Sequence, residues 1–320
     1  MYNIIFYNLK EKEVDGKELK YRIPSKLVFD TAVSTDELLQ GFDLIAQDHD
    51  EAFKIDMPCV SSAISMFEDC KLEKIAGVND DVANFQSLIT ADRMFKNTGL
   101  TSCKLNCSSL KFAEEMFSGV PLTEFEGDLK HLINGNSMFA FEDYSGPILK
   151  SFNVRGLVNL ESADNMMGPV QFETWTYNMP SLKSAVNMFF SHEDIDGNIT
   201  YPVLTTFKSD LSALQDGTGM FKDCNKLQYF DASLSSLENG EDMFTNCILN
   251  AESLLRIVET LPYSDTYMKT ITIGIDCGEE NIDNFIASTN VYNNLGELIS
   301  CMEDRGWIVE INYNSVLPEI

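Results

Sequence analysis

Three histidines, eight cysteines and fifty acidic residues are the groups in this 320-residue sequence that could do chemistry. An imidazole relays protons or binds zinc, a thiolate attacks or ligates, and paired carboxylates serve as acid and base. His49, His131 and His192 stand far apart, and none has an acid or a nucleophile at the spacing of a catalytic set. No hydrolytic triad is expected. Cys59, Cys70, Cys103, Cys107, Cys224, Cys247, Cys277 and Cys301 form no CxxC and no paired spacing of a secreted framework. Cys103-x-x-x-Cys107 has no second Cys or His pair to complete a zinc site. These residues read as free thiols. The run from His192 to Asn198 spaces oxygen ligands as a calcium loop opens, but the twelfth place from Asp194 is Thr205 rather than Glu. An EF-hand is thereby excluded, leaving a solvated acidic turn or a weakly held cation. No GxGxxG or Walker-type loop occurs. Catalytic, cofactor-binding and metal-ligating residues are therefore left unassigned, and neither enzymatic activity nor a cofactor is expected.

The bulk composition narrows the partners. Fifty acidic against 23 basic residues give a net charge of −27, which repels a nucleic-acid backbone or an anionic lipid surface. Nucleic-acid binding is not expected. No window approaches 18 consecutive apolar residues, and the opening MYNIIFYNLKEKE has neither a basic leader nor a long apolar run. The expectation is a chain that does not insert into a membrane and is not exported by the usual signal.

The elements that would carry any site are set by a repeat. Met66-Phe67, Met94-Phe95, Met116-Phe117, Met138-Phe139, Met188-Phe189, Met220-Phe221 and Met243-Phe244 recur, with Met166-Met167 as a degenerate eighth member. Successive first methionines are 28, 22, 22, 28, 22, 32 and 23 residues apart. Stepping back by threes from each Met meets a small residue and then two apolar ones, from Met57/Val60/Ala63/Met66 to Leu234/Leu237/Gly240/Met243. The small residue is always Ala or Gly. A step of three is neither the alternation of a strand nor the 3.6 of an α-helix, and suits 3₁₀-like or turn-rich coils stacked on one another. The small residue marks where coils approach closely.

Beyond each Met-Phe comes an apolar pair such as Leu72/Ile75, Leu122/Phe125, Leu149/Phe152, Leu204/Phe207 or Leu227/Phe230, expected as short strands of a parallel ladder. Cys70, Cys224 and Cys247 share one place four residues beyond Met, where Thr98 and Val120 also stand. Such mixed occupancy indicates a small packed position. Length beyond 22 residues falls in Gly77–Val82, Ala140–Pro147 and Ser191–Pro202, expected as outward loops and candidates for partner binding.

The fold class expected is an α/β solenoid, a leucine-rich-repeat-like right-handed stack of about eight coils with a parallel β-ladder, capped at both ends. Residues 1–50 would form an N-terminal cap, with strands at Ile4–Tyr7 and Lys20–Phe29 and a helix over Asp36–Gln47. The solenoid would span 51–249. Residues 250–320 would close it with a helix at Asn250–Leu261, a strand at Lys269–Asp276, helical Asn281–Asp304 broken near Thr289, and a strand at Trp307–Asn312.

Units such as DGTGMFKDCNKLQYFDASLSS, Asp216–Ser236, resemble BspA-type leucine-rich repeats, with their Met-Phe-x-x-Cys-x-x-Leu run and following strand. The match covers roughly residues 50–250. The closing ILNAESLLRIVETL, TITIGID and RGWIVEIN are similar to the tail of such repeats encoded by phages and prophages of gut bacteria. The resemblance implies a non-enzymatic adhesive or assembly module, binding other virion proteins or a host-surface receptor or glycan, as a homo-oligomer or attached to a larger assembly. A virion, assembled in the host cytoplasm, is the expected location, since this chain shows no signal peptide, lipobox Cys or sorting tail. The alternatives are a cellular BspA-like surface adhesin and a glycan-active enzyme.

Overall fold

The computed structural model describes residues 3–14, 17–28, 32–41, 52–140, 149–193, 196–264, 269–276 and 279–314. Its backbone explains the three-residue step. In all eight repeats the second apolar residue donates its N–H to the carbonyl of the first, from Val60 to Met57 through Leu237 to Leu234. The Met N–H likewise donates to the small residue, from Met66 to Ala63 through Met243 to Gly240. The step is a succession of tight turns rather than a 3₁₀ helix.

Before each Met the backbone turns left-handed. Ser65, Arg93, Glu115, Ser137, Asn165, Asn187, Gly219 and Asp242 have φ between 51° and 60°. Residues with a Cβ lose roughly 1–2 kcal/mol there. The reward is a row of N–H groups aimed at the following repeat: Ala63 to Thr90 O, Ser65 to Asp92 O and Phe67 to Met94 O, at 3.0, 2.9 and 2.8 Å. Donors on this side of a repeat therefore all point one way along the chain.

The chain divides into two compact units, residues 1–132 with 146–156, and residues 133–145 with 157–320. In the first, β1 (Asn3–Val14) and β2 (Lys17–Val28) form an antiparallel hairpin, longer than the two strands expected there. Parallel pairing then runs from β2 to β3 (Phe53–Asp56), which meets both β4 (Ile75–Ala76) and β5 (Ala83–Asn84). It continues through β6 (Ser102–Asn106), β7 (Glu124–Gly127) and β8 (Ser151–Val154). A second parallel ladder of single bridges links Ser34, Ser62, Thr90 and Phe112. Between the ladders, Phe67, Phe95 and Phe117 stack at 5.3 and 5.4 Å with planes 1° and 9° apart. The spacing of the ladder thus also sets the aromatic column.

One expectation fails at the start of this unit. The described part of Asp36–Gln47 is a turn over 36–41, not a helix; residues 42–47 lie outside the described residues. Glu37 and Gly41 are left-handed, and Thr35, Glu37, Leu39 and Gly41 donate to Ser62, Ile64, Met66 and Glu68 as a repeat would hydrogen-bond to its neighbour, so inter-repeat bonds replace helical ones. Asp36 accepts from Ser62 Oγ at 2.6 Å and Ile64 N at 2.8 Å. Burial raises its pKa, but these bonds and that from Ser34 outweigh burial and hold the carboxyl below its ordinary value. Its contribution is present above the usual carboxylate range and is lost as pH falls.

In the second unit the ladder of bridges runs Asn134, Ser162, Ser184, Asp216 and Asn239. The strands β9 (Thr174–Trp175), β12 (Thr206–Lys208) and β13 (Tyr229–Asp231) pair in parallel, while β10 (His192–Glu193) and β11 (Ile199–Thr200) make a small antiparallel hairpin. Strand-side Trp175, Phe207 and Phe230 form one stack, Phe189, Phe221 and Phe244 another. Helix α1 (Ala251–Thr260) is capped by Asn250, whose carboxamide oxygen accepts from Ser253 N at 3.0 Å. The last donor row needs acceptors, and β14 (Lys269–Asp276) supplies them: Gly240, Phe244 and Leu249 donate to Thr270, Thr272 and Gly274. Helices α2 (Glu279–Ser288) and α3 (Leu295–Glu303) resolve the expected break near Thr289, and β15 (Trp307–Asn314) pairs in parallel with β14.

All eight stepped methionines and all eight small residues are buried. Ala113→Leu is expected to destabilise by roughly 1–3 kcal/mol through overpacking, against a few tenths for the exposed control Glu238→Ala. Urea unfolding followed by circular dichroism measures both, and equal midpoints would contradict close packing at that position. Among the described residues no helix is long and apolar enough to cross a membrane.

Candidate binding groove

The stepped residues are consumed by the interior, so a site must be sought in side chains that do not repeat. In the first unit one such set converges. A groove of about 500 Å³ is lined at β6 by Lys104, Leu105 and Asn106, at β7 by Glu126 and Gly127, by Asp128, by Asn153 and Val154 of β8, and by Val82 and Arg155. Val82 belongs to Gly77–Val82, one of the three insertions expected to face solvent.

A side-chain ladder runs up to the groove and ends at Asn106. Asp56 Oδ1 accepts from Asn84 Nδ2 at 2.9 Å, and Asn84 Oδ1 accepts from Asn106 Nδ2 at 3.0 Å. Each of these residues immediately precedes a stepped set, so strand register alone aligns them. Asp128 occupies the same place in the next repeat. It faces Lys130 Nζ at 3.5 Å and Arg155 Nη1 at 3.9 Å.

Across the groove Lys104 Nζ donates to Asp81 Oδ2 at 2.9 Å and lies 3.8 Å from Glu126 Oε2. The bond to Asp81, then the two acidic charges, hold the ammonium above its ordinary pKa. The same bond holds Asp81 below its own. The Lys104 and Arg155 side chains are 45% and 82% exposed, and ion pairs this open contribute little. They can therefore exchange partners at small cost. The groove offers two cations, two carboxylates and two carboxamides around Leu105 and Val154, an arrangement suited to recognising a polar surface.

The other candidates are dispersed. His131 is exposed and outside the groove. His192 sits in the β10–β11 hairpin of the second unit, paired with Thr200, and residues 194–195 of the calcium-like run lie outside the described residues, as do 141–147 of the second insertion. Among the described residues no group of three His, Cys, Asp or Glu could hold a metal ion.

The thiols are packing groups. Cys70, Cys224 and Cys247 donate to the carbonyls of Leu39, Phe189 and Phe221, each in the preceding turn of the repeat, at 2.7, 3.7 and 3.1 Å. Burial pushes Cys103, Cys224 and Cys247 up and takes Cys107 to about 12. At pH 8 maleimide is expected to label exposed Cys59 well before these four, which become reactive only on unfolding. Peptide mapping checks this, and rapid labelling of Cys107 in the native protein would contradict it. Cys277 lies outside the described residues.

The groove lies outside the stepped pattern, which runs back from Met and ends at the first apolar residue. One place further back, Asp56, Asn84, Asn106 and Asp128 form a polar column. The pairing of Asp81 with Lys104 has no counterpart in the pattern. No family model, curated protein or solved structure matches this chain.

Proposed function

We propose that this chain is a non-enzymatic structural and binding protein built as a right-handed, leucine-rich-repeat-like solenoid of about eight coils, related to the BspA-type repeats it resembles. Its place is a bacteriophage virion, where the groove of the first unit holds another virion protein or a host-surface receptor or glycan. The observation that carries this is the division of labour among residues: the stepped apolar residues are buried, while Lys104, Glu126, Asp128 and Arg155, which lie outside the stepped sets, gather around one exposed groove. Paired, exposed charges of both signs favour recognition over proton transfer.

Mass spectrometry of purified particles from the source is expected to find this chain at a fixed stoichiometry. The doubly reversed variant Lys104→Glu/Arg155→Glu should be incorporated roughly tenfold less, a loss of about 1.4 kcal/mol, with an unchanged melting curve. Undiminished incorporation of that variant would remove the groove from the function, and particles without the chain would remove the virion.

A further inference from the structure

Among the described residues, both terminal regions of the chain leave a strand edge open. β1 is the outer strand of the sheet in the first unit, and β15 is the outer strand of the pair β14–β15. Among the described residues, no strand lies against the far side of either. β2 meets β3 only through Lys26–Val28. The ribbon made by Leu9–Val14 and Lys17–Arg22 therefore has no third strand on either side among the described residues. Two strands alone are marginal in water, and open edges recruit a further chain.

Charge selects the recruit. Residues 1–28 carry six basic and four acidic residues, a net +2, within a chain of net −27. Residues 250–320 carry three basic and twelve acidic residues, a net −9. The hairpin register places Lys10, Lys12 and Lys17 at positions of one face of the ribbon. β15 presents WIVEINYN, strand-forming residues with Ile308 half-exposed.

We infer that the N-terminal ribbon of one copy adds edge-on to β15 of a second copy, head to tail. Main-chain hydrogen bonds supply the contact and opposite charge sets its direction. Pairing of two ribbons with each other brings like charge together and is disfavoured. Each copy offers one ribbon and one β15, so the contact closes reciprocally as a dimer or extends into a larger ring or a filament. None of β1, β2 and β15 supplies a residue of the groove, and the test is independent of any partner of the groove.

Sedimentation velocity on the full chain tests it, with Lys10→Glu/Lys12→Glu/Lys17→Glu and Ile308→Lys as variants and circular dichroism melts as the fold control. The wild type is expected to exceed 36.0 kDa increasingly with concentration, and to fall back toward it in about 1 M salt, where charges are screened beyond roughly 3 Å. Each variant alone should stay monomeric. An equimolar mixture should restore association, because the ribbon of Ile308→Lys and the β15 of the triple variant are both native. A wild type that stays at 36.0 kDa, or a mixture that stays monomeric, would overturn the inference.

Discussion

Phe221→Ala is expected to destabilise the protein by about 3–5 kcal/mol, the range for removing a large buried aromatic. Phe221 is buried and meets four rings: Phe189 and Phe244 stacked at 5.7 and 5.5 Å, Phe207 and Phe230 edge-on at 4.7 and 5.8 Å. It is where the column behind Met and the column behind the strands interlock. Truncation removes these contacts, each worth about 0.5–1.5 kcal/mol beyond area, and leaves a cavity that turn backbones held by inter-repeat hydrogen bonds cannot easily close. Exposed Phe112, 39% accessible, is the control, and its Ala variant should cost far less. Urea unfolding monitored by far-ultraviolet dichroism separates them. A Phe221 variant as stable as the Phe112 variant would contradict the interlocked columns.

Gly274→Ala should be the most damaging single methyl in the second unit. A Cβ there would sit 2.5 Å from the Cys247 carbonyl oxygen and 2.7 Å from its nitrogen, and also against the Phe244 carbonyl. These are backbone atoms of the last repeat and cannot swing aside. β14 would have to withdraw, and with it the carbonyls of Thr270, Thr272 and Gly274 that accept from Gly240, Phe244 and Leu249. Overpacking costs about 1–3 kcal/mol, and each buried N–H left without an acceptor adds roughly 1–3 kcal/mol. Hydrogen exchange gives the cleaner readout: protection at the amides of Gly240, Phe244 and Leu249 should fall selectively. Unchanged protection there would show that β14 is not what satisfies the row.

Much of the fold was legible because its periodicity is unusual. Burial at every third residue, the strands at Phe125, Phe152, Phe207 and Phe230, and the elements α1, β14 and α3 follow from apolar spacing. The left-handed residue before each Met was not legible. Asn, Asp, Ser and Gly favour that conformation, but Arg93 and Glu115 adopt it too, and Arg93 is held by its hydrogen bond to Glu114 O of the next repeat, which no local propensity encodes. The same cause misled the expectation of a helix after Ser34. Thr35, Leu38 and Leu39 stand where Ala63, Met66 and Phe67 stand one repeat later, and the neighbour rather than the local sequence fixes their backbone. The role of Gly274 was equally hidden, since it depends on a close approach between residues distant in sequence.

The groove was half visible. Gly77–Val82 was marked by its extra length, and Val82 does line the groove. Lys104, Asp128 and Arg155 were not marked, because charged residues on or just beyond short strands look like ordinary solvated positions until the pairing of those strands brings them together.

Cross-linking mass spectrometry of native particles with a lysine-reactive reagent tests most directly whether this groove is where a partner is held. Lys104 and Lys130, within reach of Asp81 and Asp128, are predicted to cross-link to one other protein of the particle. Cross-links to partners only from lysines elsewhere on the chain, with Lys104 and Lys130 modified as readily as in the free protein, would contradict it.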